Sequence, residues 1–451
     1  MSRGVTFRGL TGAVLLAWAA FGCAVFASQD PPQAPPPAKS AVAPAAAAAP
    51  LLLRGATVMT AAGPTLERAD VRVENGRISR VGANLAAEPG VAVIDVAGRW
   101  ITPGIIDPHS HLGVYAVPAT NSTADGNEMT GPFKPDIRAE DSFWPQDPAI
   151  ERALAGGVTT IHVLPGSANL VGGQGVSLRL VPALSAREMR VPDAPPTMKM
   201  ACGENPMRIY GAAKGAEPQT RMAEVAMLRQ KLENARAYKP ESGKALEFST
   251  DALARVVRGE ILVQNHCYRA DEMLVRLDLF AEFGTAPRAF HHAVEAYKIR
   301  DRLARAGVGA VVWADWAGLK MELVDAVPAN AALLDQAGVR VALHSDSPYD
   351  IQRLNQEAAK AMAAGRKAGI PVGREAALRW ITANPAWILG IDARTGTLEP
   401  GKDADLVVWS GDPFSVYAHA EQVYIEGRRV YDRAHPGAPR SDFELGLRGA
   451  K

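Results

Sequence analysis

Short apolar runs recur along the chain, and their spacing changes twice. From 51 to 98 they alternate with polar positions and turns, and 51–53, 56–59, 69–73, 77–81 and 92–95 each read as strands. Asn75-Gly76 between two of them suits a type I′ hairpin turn. The same texture returns in 405–409 and 422–426, with a turn at 426–429 leading into Val430-Tyr431. Neither end holds enough strands for a core of its own. The pattern therefore predicts that 51–103 and 393–440 pair into one small β-sandwich, with the middle of the chain inserted between them.

The middle, 104–392, reads differently. Eight short β runs (105–107, 159–163, 176–180, 198–201, 261–265, 288–291, 309–313 and 339–343) are separated by amphipathic stretches such as 147–156, 219–237, 270–283, 295–306, 329–337, 352–368 and 374–389. Eight β/α alternations predict an α/β fold of the (β/α)8 TIM-barrel kind. A doubly wound open sheet is the alternative, weakened because no Gly-rich phosphate fingerprint follows the first strand.

The first residues form a distinct segment. Arg3 and Arg8 precede an apolar run, 10–20, too short to span a bilayer, and small residues follow. Residues 1–27 read as a secretory signal cleaved after Ala27, which places the protein outside the cytoplasm, in the periplasm. Phe21-Gly22-Cys23 offers a second reading, a lipid at Cys23 as the one membrane attachment. Residues 28–50 are Pro/Ala-rich and read as a tether. Hydrophobic residues at 47% and charged residues at 22% mark a globular body. Lys+Arg number 49 against 48 Asp+Glu, so no basic excess exists to hold a nucleic acid, and aromatics at 6% offer few stacking platforms. Three cysteines, Cys23, Cys202 and Cys267, are too few for a disulfide framework.

The histidines carry the candidate chemistry. His109-Ser110-His111 directly follows the first barrel strand, and residues two apart in an extended segment point the same way. His266 follows the fifth strand, His291 and His292 end the sixth, and Asp346 follows the eighth in His344-Ser345-Asp346-Ser347. Barrel chemistry sits at C-terminal strand ends, and imidazole with carboxylate suits Zn2+ or a similar divalent ion. Lys199 lies inside the apolar fourth strand. Either it turns outward or pairs with Glu204, or it is a buried neutral amine able to take up CO2 as a carbamate that bridges two ions. Gln174, in the Gly-rich stretch 172–175, and Arg208 and Tyr210 after the fourth strand are candidate substrate contacts; Arg208 would fork onto a carboxylate. His162 reads as structural, and the polar insert 116–145 as a lid.

Several motifs together resemble the amidohydrolase superfamily, in the branch around imidazolonepropionase-like and prolidase-like metal hydrolases. They are Gly98-Arg99-Trp100-Ile101-Thr102-Pro103-Gly104-Ile105-Ile106-Asp107-Pro108-His109-Ser110-His111, Gly157-Val158-Thr159-Thr160, His292-Ala293-Val294-Glu295-Ala296-Tyr297-Lys298, Ser345-Asp346-Ser347, Thr382-Ala383-Asn384-Pro385-Ala386 and Gly396-Thr397-Leu398-Glu399-Pro400-Gly401-Lys402-Asp403-Ala404-Asp405-Leu406-Val407. The resemblance runs over residues 50–435. It implies one or two divalent ions, Zn2+ first: His109, His111 and Asp346 on one, His266 and His292 on the other, and carboxylated Lys199 between them. His292 is favoured over His291 by the spacing to Glu295, Tyr297 and Lys298. The prolidase-like members follow their lysine with Thr-Gly-Gly, whereas Lys199 is followed by Met200-Ala201-Cys202-Gly203-Glu204. That departure leaves Glu204 as the bridge, or a single-ion site, as alternatives. The implied reaction is cleavage of a C–N bond in a small-molecule amide, peptide or cyclic amide by metal-activated hydroxide. Asp346 would be general base, and His266 or His292 would polarise the carbonyl in a single-ion site. A deaminase or lactonase, or a metal-binding barrel without turnover, are the competing readings, and a homo-oligomer is compatible with all of them.

Overall fold

The computed structural model describes residues 49–240, 244–318 and 320–436. The signal segment, Cys23, nearly all of the tether and the last residues of the C-terminal β segment lie outside the described residues.

The chain begins with β1 (Leu51–Val58), β2 (Leu66–Glu74), β3 (Arg77–Gly82), β4 (Ala92–Asp95) and β5 (Trp100–Pro103). Asn75 and Gly76 both take positive φ, 52° and 74°, as the tight turn between β2 and β3 requires. A register shift between Leu53 and Ala56 bends β1, so its first half pairs with β4 and its end with β5.

The barrel follows as β6 (Ile105–Ser110), β7 (Val158–Val163), β8 (Val171–Arg179), β9 (Thr197–Ala201), β10 (Leu262–Cys267), β11 (Ala289–His292), β12 (Gly309–Val312) and β13 (Val341–Leu343), neighbours in sequence order. Each of the eight expected runs overlaps one of these strands. One direction differs from expectation: β8 runs antiparallel to both β7 and β9. Only residues 164–170 separate β7 from β8, fewer than the dozen or so that a helical crossover needs, so the chain turns straight back. The Gly-rich stretch 172–175 is therefore inside a strand. The expected helix 374–389 is also split, into Arg374–Arg379 and Ala383–Leu389. The backbone between them wedges β6 against β13: Leu343 N–H donates to Trp380 O and Ile106 N–H to Ile381 O, both at 2.9 Å.

The chain then returns to the first sheet as β14 (Leu406–Trp409), β15 (Ala420–Ile425) and β16 (Arg428–Asp432), in the order β16-β15-β14-β5-β1-β2-β3 with β4 beside β1. Both chain ends thus build one sheet, and its two wings share an apolar core of Leu53, Val71, Val73, Ile78, Ile101, Leu406, Val408 and Tyr424. Within this sheet the Trp409 indole N–H donates to Thr102 Oγ1 of β5 at 2.9 Å, and the Trp409 ring packs into the apolar core of the barrel. The rim of the same ring explains the Gly157-Val158-Thr159-Thr160 motif. Gly157 has φ +82°, and a β-carbon there would lie 2.8 Å from the Trp409 ring. Among the described residues, no helix is long and apolar enough to cross a membrane.

Candidate metal centre

The ends of β6, β11 and β13 bring the predicted ligands together, and hydrogen bonds behind them set their tautomers. The Gln264 amide nitrogen donates to Ile388 O at 3.2 Å, which leaves Gln264 Oε1 to accept from His291 Nε2–H at 2.7 Å. The His291 Nδ1 is then an acceptor, and it lies 2.8 Å from His109 Nδ1, which must be the donor. The His109 Nε2 lone pair is thereby turned into the site, 3.1 Å from Lys199 Nζ and 3.7 Å from Asp346 Oδ1. The His111 Nδ1–H donates to Leu164 O at 2.8 Å, and its Nε2 faces Asp346 Oδ1 at 3.1 Å. A lone pair and a carboxylate oxygen so close call for a proton or a cation between them.

Other imidazole nitrogens in the centre have no partner. His266 Nδ1 is bonded to Ser167 Oγ at 2.8 Å, but its Nε2 is unpaired. The Nδ1 of His292 and both ring nitrogens of His344 are buried and unpaired as well. Each such atom costs about 1–3 kcal/mol when left unmet. Burial holds His109, His266, His291 and His292 well below the usual imidazole range, and takes His344 to about 3. These rings are therefore neutral, the form that binds a metal. Ligand atoms of His109, His111 and Asp346 lie within 4.8 Å of one another, and so do those of His109, His292 and His344. Neutral imidazoles with one carboxylate and orphaned, inward-facing nitrogens are a donor set that fits Zn2+ or a similar ion.

Asp346 is partly exposed, at 23% of its side chain. Burial works to raise its carboxyl, but the hydrogen bond and charge of His111, with the Lys199 ammonium, outweigh this and hold it below the usual aspartate value. It is a carboxylate at neutral pH. Its φ of 51°, with 67° at His292 and 39° at Ala293, puts left-handed backbone at residues carrying a β-carbon, as often happens where a functional site is held under strain.

Lys199 is fully buried and points inward. Burial lowers its amine to about 7, against the pull of Asp346. An outward turn or a pair with Glu204 does not occur. Glu204 is held by Lys320 at 3.1 Å and belongs to neither ligand group.

The expected substrate contacts divide. Arg208 is exposed just beyond β9, with no hydrogen bond or ion pair among the described residues, and its charge is felt by Tyr268. Tyr210 is committed elsewhere: its hydroxyl donates to Gly131 O at 2.8 Å and so fastens the 116–145 insert. Gln174 is also corrected. In the antiparallel β8 it lies opposite Met198, which packs outward with Leu228 and Leu232. Directly opposed residues share a face, so Gln174 points away from the imidazoles and donates to Pro135 O at 3.1 Å. His162 is structural as expected, bonded at both nitrogens to Ser177 Oγ (3.0 Å) and Thr197 Oγ1 (2.9 Å).

Six residues contribute in ways not expected from the sequence. Asp107 ties β6 to the residues after β13 by accepting from the Ser345 hydroxyl and from the N–H groups of Ser345 and His109; burial raises its carboxyl to about 7. Gln264 and His291 form the relay behind His109. His344 was passed over although it stands two residues before Asp346, the spacing that singled out His109 and His111. Cys202 and Cys267, at the ends of adjacent β9 and β10, form a disulfide. Beside His292 opens a small cavity of about 80 Å³ lined by Val294, Trp313, Trp316, Val327 and Pro328. Trp313 stacks on His292 with ring centres 4.4 Å apart and on Trp316 at 5.2 Å.

Comparison with known proteins agrees with this geometry. A sequence profile of the amidohydrolase family matches residues 286–431. Amidohydrolase tasK of Hapsidospora irregularis is 35% identical over 398 residues, 80% of this chain; the chain spans 40% of that protein's length. Imidazolonepropionase of Mesorhizobium japonicum is 26% identical over 80% of this chain and 90% of its own. Among solved structures, an amidohydrolase from Thermotoga maritima superposes with a TM-score of 0.79 and 37% identity, over 85% of this chain and all of that one. A prolidase complexed with N-methylphosphonate-L-proline shares the fold, with a TM-score of 0.54 and 18% identity over 85% of this chain and all of its own. With a relative this similar matched along its whole length, the chain belongs to the amidohydrolase superfamily.

Proposed function

We propose that this protein is an exported, metal-dependent amidohydrolase that adds water across a C–N bond of a small-molecule amide or peptide, releasing a carboxylate and an amine. The observation that carries the reading is the convergence of His109 and His111 on an ionised Asp346 at the barrel mouth, with the unpaired nitrogens of His266, His292 and His344 beside them. His109, His111 and Asp346 would hold one ion, and His292 with His266 a second. Such an ion supplies Lewis acidity toward a carbonyl oxygen and acidifies water toward neutral pH. Asp346 takes the proton of the attacking water at its carboxylate and returns it to the leaving nitrogen. Lys199, with an amine near neutrality, is prepared to react with CO2: its nitrogen bonds the carbon, one proton leaves, and a carbamate anion forms between the two ligand groups. Arg208 offers a free guanidinium to a substrate carboxylate, and the tryptophan-lined cavity beside His292 takes a flat apolar substituent. N-acylated amino acids and dipeptides combine these features. Export rests on the signal-like segment before residue 28.

The test is metal content per chain by elemental analysis, for the parent and for Lys199→Ala, together with a panel of N-acyl amino acids, dipeptides and cyclic amides before and after chelation. Turnover that disappears with chelator and returns with Zn2+ supports the proposal. Fully loaded protein that turns over nothing in the panel would make it a metal-binding barrel instead. A mature N-terminus at Ser28, read by mass spectrometry of protein recovered outside the cytoplasm, tests the export.

A further inference from the structure

We propose that His344 is a metal ligand, forming with His109 and His292 a three-imidazole position that takes the one Nε2 lone pair of His109 and leaves His111 and Asp346 to the neighbouring position. This rests on the metal-dependent reading above and changes its ligand set, since the resemblance assigns His344 no role.

The first argument is placement. His344 follows directly on β13 and Asp346 stands two residues on, and each brings a ligand atom within 4.8 Å of His109, His344 together with His292 and Asp346 together with His111. The second is the contrast between His344 and the other buried histidines. His162 has both ring nitrogens bonded to hydroxyls, and His291 has both bonded within the relay. His344 is 2% exposed and has neither bonded. A histidine kept for packing is expected to resemble His162. The third argument is what surrounds it. Its ring lies 5.1 Å from that of His109, 4.9 Å from His292 and 4.9 Å from Trp313, centre to centre. None of these rings is hydrogen-bonded to it; Trp313 brings an indole N–H, also unpaired, whereas His109 and His292 bring imidazole nitrogens able to bind a metal.

One nitrogen from each of His109, His292 and His344 already lies within 4.8 Å of the others. Around an ion bonded at about 2.0–2.1 Å in tetrahedral geometry, they would stand roughly 3.4 Å apart. Side-chain rotation alone covers that difference. The His291 relay turns the His109 lone pair toward this point, and three neutral nitrogens select a borderline-soft ion such as Zn2+ over Mg2+ or Ca2+.

The experiment uses the full chain, stripped with chelator and reloaded with Zn2+. Stoichiometry is read by elemental analysis and affinity by competition with a chromophoric chelator. Loss of a direct ligand should reach at least the upper end of second-shell effects, so His344→Ala should weaken binding of one ion by about 100-fold or more. A second variant, His344→Cys loaded with Co2+, should gain near-ultraviolet thiolate-to-cobalt absorption that the parent lacks; it decides the matter alone should His344→Ala fail to fold. Zn2+ affinity and stoichiometry in His344→Ala within about two-fold of the parent, or no new absorption in His344→Cys, would overturn the proposal. A parent that binds no Zn2+ would overturn the metal-dependent reading itself, a separate result.

Discussion

The Gln264 side chain is hydrogen-bonded to no predicted ligand, yet its replacement should weaken metal binding. Gln264→Leu keeps the volume of the side chain but removes the acceptor of His291 Nε2–H and the donor to Ile388 O. The stranded N–H would cost about 1–3 kcal/mol. His291 can avoid that by moving its proton to Nδ1, where it meets His109 Nδ1 at 2.8 Å. His109 must then carry its own proton on Nε2, the nitrogen that faces Lys199 and Asp346. The metal-free protein relaxes this way and keeps most of its stability, with only Ile388 O left unmet. Metal binding has to reverse the shift. Its affinity should therefore fall by about the same 1–3 kcal/mol, roughly 10- to 100-fold, the size typical of lost outer-shell partners. Chelator competition with Zn2+ measures it, with Gln264→Glu alongside as a variant that still accepts from His291 and should retain more of the affinity. Parent-like affinity in Gln264→Leu would refute the relay.

Asp346→Asn should lower kcat on any accepted amide by about 10²- to 10⁴-fold, the span of a lost general base, with little change in melting temperature; steady-state rates and a thermal melt read both. Gly157→Ala forces a β-carbon onto the Trp409 ring and a non-glycine residue to φ +82°, so the melting temperature should drop by the equivalent of about 1–3 kcal/mol while Zn2+ stoichiometry stays at the parent's value. Metal-free protein should lose stability as pH falls from 7 to 5. His162 and His344, held near 3 by burial, stay neutral in the fold and bind protons when unfolded, so below about 6.5 the unfolded state gains protons and is favoured, by about 2 kcal/mol per ring at pH 5. Asp107 and Glu224, raised to about 7, and Asp405, raised to about 6, oppose this because the fold holds protons there that the unfolded chain releases above about 4, but the six buried imidazoles outnumber them. Urea midpoints at the two pH values decide it, and equal midpoints would show that the imidazoles are not buried and neutral.

How much of this was legible in the sequence depends on the range of the interaction. Strands β6 to β13 were readable because each is a short apolar run, and the Asn75-Gly76 turn because its backbone demand is local. The reversal of β8 was not, because apolar runs look the same in either direction. Only the length of 164–170 carried the information, and it was outweighed by the expectation of regular alternation. Gln174 was misplaced as a direct consequence. Tyr210 was misjudged for a different reason: nothing near it in sequence says that Gly131 lies within reach of its hydroxyl.

The centre divides along the same line. The side chains that face the mouth follow from strand periodicity, which points His109 and His111 the same way and, applied once more, would have pointed His344 with Asp346. The protonation of those side chains does not follow from any local pattern. The useful lone pair on His109 is fixed by a relay that starts at Ile388, passes through Gln264 on β10 and His291 on β11, and ends on β6. Three sequence-distant segments must be in register before the first ligand has the right tautomer. On the proposed reading a histidine of this barrel is open to a metal only where a nitrogen is unbonded or meets another group of the centre: His162 and His291 are as deeply buried as His344 and sit among the same strands, but their nitrogens are taken by structural partners.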